Sequence, residues 1–200
     1  MDFPPELKIE GFKENLKVIK ETKLLGIILT DDLKWGANTD YICTKAYKNM
    51  WSLRRMKRLN LDPLIILDVY TKEIRSVLEL AVPAWHSKLT VRQSADIERV
   101  QKIALFIILS DHLTGISEYS YDMALALLDL EPLSFRRDKL CLTFAKKAEH
   151  SRHSDMFTKK TNPYETRQVS NYYKEHNSTT LSCYNSPLNY LTRILNQNKK

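Results

Sequence analysis

Lys23-Leu24-Leu25-Gly26-Ile27-Ile28-Leu29-Thr30-Asp31-Asp32-Leu33-Lys34-Trp35 separates two kinds of patterning, and the fold class follows from that division. Upstream, residues 7–10 and 16–20 alternate apolar and polar side chains around Gly11, and 23–29 form a denser apolar run. Period-two patterns of this length predict strands, so a small antiparallel sheet is expected over 7–30. Downstream of Asn38 the apolar residues recur every three or four positions, which predicts helices. The expected fold is mainly α: a bundle of about four or five helices behind a small N-terminal antiparallel β-sheet.

The first predicted helix runs from about Thr39 to Leu59, with Asn38 as its cap. At ~100° per residue, Ile42, Ala46, Met50 and Leu53 share one side. Lys48, Trp51, Arg55 and Arg58 share the other, with Lys45 nearby and Arg54 and Lys57 beside them. Asp62-Pro63 restarts the chain, because Asp caps and Pro suits a first helical position. The helix it opens, 64–81, is expected to be central and to end at Pro83. Thr90-Val91-Arg92-Gln93 matches a capping box. The helix behind it reaches Leu109, with Ile97, Val100, Ala104 and Ile107 or Ile108 inward. A polar loop over 111–120 carries Gly115, then come a short helix at 121–128 and a longer one at 132–149. The longer one should turn Leu133, Leu140, Phe144 and Ala148 inward. From 151 to 185 Ser, Thr, Asn and Lys dominate and periodicity fades, so a poorly ordered C-terminal tail is expected. Leu188, Leu191, Ile194 and Leu195 predict one short amphipathic helix at the end.

Composition narrows the functional classes. A chain of 200 residues that is 43% apolar can bury one core, and 4 Gly against 7 Pro disfavours a turn-rich all-β fold. A net charge of +7 favours a polyanionic partner. Cys43, Cys141 and Cys183 are scattered, without zinc-ligand spacing, as befits a reducing compartment. No secretory leader is visible and no apolar run approaches the ~20 residues of a spanning helix. A soluble, intracellular protein is expected, with nucleus and cytoplasm not distinguished and no membrane partner.

Few residues suggest chemistry. Asp31-Asp32 is a carboxylate doublet of the kind that holds two metal ions in polymerases, but Leu29 stands where an aromatic residue would precede such a doublet. Asp suits turns because it bonds its own backbone, so a turn is the expected role. No phosphate-cradling glycine loop, metal-spaced His/Glu set or nucleophile elbow occurs, so no catalytic residue, metal ligand or cofactor is assigned. The cationic stripe Lys45, Lys48, Arg54, Arg55 and Arg58, with Trp51 inside it, is the candidate binding surface, since phosphate contact needs cations on one face. Arg136, Arg137, Lys139, Lys146 and Lys147 form a second basic set, read as ordinary exposed charges. Trp85 is read as a core anchor and His86 as a polar cap.

Several blocks extend the opening stretch in a familiar order: Asn38-Thr39-Asp40-Tyr41-Ile42, Trp51-Ser52-Leu53-Arg54-Arg55, Ile74-Arg75-Ser76-Val77-Leu78-Glu79, Pro83-Ala84-Trp85-His86, Ile97-Glu98-Arg99-Val100-Gln101, Leu133-Ser134-Phe135-Arg136-Arg137 and Phe144-Ala145-Lys146-Lys147. Together they resemble the C-terminal part of a non-LTR retrotransposon reverse transcriptase, over roughly residues 7–150. The resemblance implies the last palm strands and a primer-grip-like hairpin at 1–36, a helical thumb-like domain at 37–150 and a polar, largely disordered tail at 151–200. It implies that Lys23, Leu24, Leu25 and Gly26 lie near a primer end. It also implies that the basic helix follows an RNA/DNA template–primer duplex, next to N-terminal polymerase domains that this sequence lacks. On that reading the chain begins after the polymerase active site, binds nucleic acid and catalyses nothing. Two alternatives stay open: a decayed transposon-derived helical protein without activity, and a helical protein-interaction module.

Overall fold

In a computed structural model of the chain, which describes residues 19–110, 120–159 and 173–198 and the backbone of 6–7 and 16–17, the change of pattern at Trp35 is a change from strand to helix. Strands β1 (Glu6–Leu7) and β2 (Leu16–Lys17) pair antiparallel, and β3 (Glu21–Leu24) pairs antiparallel with β4 (Ile27–Thr30). Gly11 lies outside the described residues. The apolar run 23–29 is therefore not one strand. Leu25 and Gly26 turn it back on itself with φ of 48° and 91°. Two consecutive positive φ angles make the type I′ turn whose twist matches a tight hairpin. Gly26 is not a relief point within a strand: a Cβ there would meet Leu80 Cδ2 at 2.9 Å in a left-handed backbone.

Helix α1 (Gly36–Arg58) starts earlier than its sequence pattern suggests and has no side-chain cap. Asn38 is not the cap. It is fully buried, and its Oδ1 accepts the Ile28 N–H at 3.0 Å, which fastens β4 to the helix. Thr39 instead donates its hydroxyl to the Trp35 carbonyl at 2.8 Å. Ile42, Ala46, Met50 and Leu53 are buried as the periodicity requires. Each such large aliphatic side chain contributes about 1.5–3 kcal/mol of burial.

Asp62 caps α2 (Pro63–Val69) by accepting the Leu64 N–H at 2.7 Å. The next stretch, Tyr70–Arg75, winds as a π-helix before α3 (Ser76–Leu78). Ile66, Tyr70, Ile74 and Leu78 are buried, but Leu64 and Ile65 are exposed, so the first turn is not central. Nor does Pro83 end this helix. The chain breaks at Ala81, which has φ 52°, and Pro83 lies in the first turn of α4 (Val82–Trp85). There its missing N–H costs nothing.

The capping box of α5 (Val91–Leu109) forms as read: Thr90 Oγ1 accepts the Gln93 N–H, and Gln93 Oε1 accepts the Thr90 N–H at 2.8 Å. Ile97, Val100, Ala104 and Ile108 are buried against α1 and the α2–α3 segment. Lys57 donates to the Ile108 carbonyl at 2.9 Å, so the basic C-terminal end of α1 sits beside the C-terminal end of α5. The loop over 111–119, with Gly115, lies outside the described residues. Helix α6 is Tyr121–Leu127 and α7 is Leu133–Glu149. The buried face of α7 carries Leu133, Arg137, Cys141, Ala145 and Ala148, which moves Phe144 outward. Phe144 lines an apolar groove of about 550 Å³ with Pro83, Met156 and Leu188.

After His150, residues 160–172 lie outside the described residues. The flanking parts contribute two buried aromatic rings, Phe157 and Tyr173, whose centroids are 5.7 Å apart. Helices α8 (Leu181–Tyr184) and α9 (Pro187–Asn198) follow, and α9 packs on α7. Leu191 and Leu195 are buried there, while Leu188 and Ile194 are partly buried. Among the described residues no helix is long and apolar enough to cross a membrane.

Candidate nucleic-acid interface

Helix α1 has 23 residues, so it is about 34 Å long. Its buried stripe fixes its rotation, and everything opposite is delivered to the surface. Lys45, Lys48, Trp51, Arg54, Arg55 and Arg58 are all exposed. At ~100° per residue, Lys48, Trp51, Arg55 and Arg58 centre the exposed face; Lys45 flanks it beside Tyr41, and Arg54 beside Tyr47. The helix carries six cations, counting Lys57, against one carboxylate, Asp40. None of the five exposed cations forms an ion pair among the described residues. Lys57 differs, being turned inward onto α5.

Trp51 is 63% exposed, and the Arg55 guanidinium carbon lies 5.4 Å from its ring centroid. Cation–π contact holds the two side chains together. The result is a flat aromatic surface beside a delocalised charge. Arg55 and Arg58 also sit at the negative end of the helix macrodipole, which stabilises them locally.

The hairpin adds a further cation to this side. Lys23 Nζ lies 4.8 Å from the centroid of the Tyr41 ring. Hydrogen bonding to the Lys23 ammonium holds the Tyr41 phenol below its usual range, with charge from Lys23 and Lys45 adding to the effect. Lys23 and the α1 cations therefore share one region through Tyr41. Leu24 and Leu25, by contrast, project as exposed apolar residues, and Gly26 is half-buried under Leu80.

Asp31 and Asp32 sit in the turn after β4. Asp32 Oδ1 accepts the Lys34 N–H at 3.0 Å and the Thr30 hydroxyl at 2.7 Å. These contacts, with the Lys34 ammonium 2.9 Å from Oδ2, hold the Asp32 carboxyl well below the usual carboxylate range. Among the described residues no group of three or more His, Cys, Asp or Glu side chains is placed to hold a metal ion.

The second basic set is not a uniform exposed surface. Arg136 forks onto Glu79, with Nε and Nη2 at 2.6 and 3.1 Å from the two carboxylate oxygens. Arg137 is buried. Its Nε donates to His86 Nδ1 at 3.2 Å and its Nη2 to Ser94 Oγ at 2.6 Å, while Nη1 has no partner among the described residues. Lys139 pairs with Glu131, and Lys146 and Lys147 remain exposed. Trp85 is the buried anchor its position implied. His86 does more than cap: with Nδ1 accepting from Arg137, its Nε2–H donates to Asp138 Oδ1 at 2.9 Å. Tyr190 from α9 donates to the same oxygen.

A second buried polar chain escaped the sequence analysis. Tyr70 donates to Gln101 Oε1 at 2.5 Å, and Gln101 Nε2 donates to Tyr121 Oη at 2.8 Å and to the Glu131 carbonyl at 3.0 Å. Tyr121 in turn donates to Glu98. Burial, reinforced for Tyr121 by Glu98, pushes both phenols far above their ordinary range, so they are fixed donors.

Comparison with protein-family models, with curated proteins and with solved structures finds no match for this chain. The assignment of this surface rests on its own geometry and on the resemblance of the sequence blocks.

Proposed function

We propose that this chain is the palm-end and thumb-like part of a retrotransposon RNA-directed DNA polymerase, and that it grips template–primer nucleic acid through α1 without catalysing polymerisation. The observation that carries the reading is the exposed face of α1: five cations without ion-pair partners among the described residues, around an exposed Trp51. Phosphate oxygens are the acceptors such a face fits, and an exposed indole adds stacking on a base or sugar. Lys23 at Tyr41 extends the cationic region towards the hairpin. Recognition through phosphates is largely indifferent to sequence, and it is weak when one helix supplies most of the contacts.

The test compares the parent chain with a Lys48→Ala/Arg55→Ala variant on duplex DNA and on an RNA–DNA hybrid at several salt concentrations. Each phosphate contact adds about 0.9 to the log–log salt slope on duplex DNA, so the variant should lose about 1.8. The hybrid should follow the same trend. An unchanged affinity and slope would mean that the stripe is a solvated surface and would refute the proposal.

A further inference from the structure

The β3–β4 hairpin has two outer edges, and only one is closed. Ile28 pairs with Lys23 in the register, yet its N–H points outward to Asn38. The Lys23/Ile28 pair is therefore of the non-hydrogen-bonded kind, and in an antiparallel ladder the two kinds alternate. Thr22 and Leu24 turn their backbone groups towards β4. Glu21 and Lys23 turn theirs away, to the outer edge of β3. Among the described residues nothing meets those groups: β3 has no second neighbour, and neither residue takes part in a backbone bond outside the hairpin. All four residues of β3 are exposed. Such an edge is a template for another strand.

We propose that the outer edge of β3 pairs antiparallel with β3 of a second copy of this chain, about a two-fold axis through Thr22. Outward-facing residues of one strand must oppose outward-facing residues of the other for their N–H and C=O groups to exchange bonds. An axis at Thr22 meets that condition, because Glu21 opposes Lys23 of the second copy, twice by symmetry. It also sets opposite charges against each other in both crossings. Moving the axis to Glu21 or Lys23 keeps the backbone match but sets like charge against like. A parallel pairing likewise places Glu21 beside Glu21. The edge is thus self-complementary in one register, which favours a second copy over an unrelated strand.

The apolar residues nearby fit the same register. Ile19, three residues before Thr22, and Leu24 and Leu25, two and three after it, are 59%, 52% and 91% exposed, so apolar side chains flank the strand at both of its ends. With the axis at Thr22, Ile19 comes opposite Leu25 of the second copy and covers it. Pairing yields a four-stranded sheet in the order β4–β3–β3–β4. Two copies joined by one short strand form a small interface, so association is weak and concentration-dependent.

Sedimentation of the full chain from ~10 μM to ~1 mM, the range that weak association requires, tests the proposal. The expected result is a reversible monomer–dimer equilibrium. Lys23→Glu sets Glu against Glu at both crossings and should weaken the dimer about tenfold. Glu21→Lys/Lys23→Glu reverses both charges and should restore it. Amide exchange at Glu21 and Lys23 should slow as concentration rises, while Thr22 and Leu24 are slow throughout. Both positions are exposed, and circular dichroism verifies that the variants fold. A monomer at every concentration overturns the proposal. So does a dimer indifferent to Lys23→Glu, or a double variant that fails to recover.

Discussion

Glu98→Ala should destabilise the protein by about 3 kcal/mol, because Glu98 caps a helix to which it does not belong. Pro132 at the start of α7 offers no side-chain cap. Glu98, on α5, supplies the acceptors: Oε1 takes the Leu133 N–H at 3.0 Å and Oε2 takes the Ser134 N–H at 3.2 Å. The Tyr121 hydroxyl also donates to Oε1. A hydrogen bond to a charged group contributes about 1.5–3 kcal/mol. The site is only part-buried, so water can rehydrate the freed amides, and the lower figure applies to each of the two. The negative charge at the positive end of α7 adds to this. Glu98→Gln keeps the volume but puts an amide donor against one of the two N–H groups, so it should cost about 2 kcal/mol. For a chain of this size 1 kcal/mol moves Tm by about 2–4 °C, so Glu98→Ala should melt about 6–12 °C lower by circular dichroism. A loss below about 1 kcal/mol would refute the idea that α7 depends on this cap.

Stability should also respond to His86. Burial holds its imidazole below the ordinary value against the opposing pull of Asp138, and the neighbouring Arg137 lowers it further. The unfolded chain therefore takes up the proton first, so stability falls as pH drops through about 6.5 and levels off below the folded value. Urea midpoints between pH 7.5 and 5.5 should show that decline in the parent chain and a shallower one in His86→Asn; parallel profiles would count against it. Pure protein should not extend a primer on an RNA template. Metal-dependent incorporation lost in Asp31→Asn/Asp32→Asn would show that the doublet does more than turn the chain.

The parts legible in the sequence are those set by local rules. Apolar spacing located α1, α5 and the buried faces of both, and Thr90 with Gln93 announced the start of α5. The exposed cationic stripe was legible for the same reason, since burying Ile42, Ala46, Met50 and Leu53 forces Lys48 and Arg55 outward. What was not legible depends on partners distant in sequence. Asn38 looks like a cap, but Ile28 across the hairpin claims its oxygen. Leu25 is a poor candidate for positive φ, which hid the turn inside the run 23–29. Arg137 is a charge in a surface-like run, and only His86 and Ser94 on other elements explain its burial. Glu98 and Gln101 lie in the block 97–101, but nothing in it points to Tyr121 or Tyr70; tertiary contact alone makes them a chain. Phe157 follows Met156 and Tyr173 follows Tyr172 in otherwise polar stretches, where such isolated pairs give periodicity nothing to detect.

The π-helical winding at Tyr70–Arg75 is a correction of phase. Ile66, Tyr70, Ile74 and Leu78 recur every four residues and are all buried. In a regular α-helix each four-residue step overshoots a full turn by about 40°, so three steps would carry Leu78 about 120° away from Ile66. The i→i+5 bonding of the π segment puts more residues into the turn and absorbs that drift. A four-residue repeat, which an α-helix would smear around its circumference, is thereby kept as a straight apolar line. Two elements of the core then meet along their length without either of them having to supercoil.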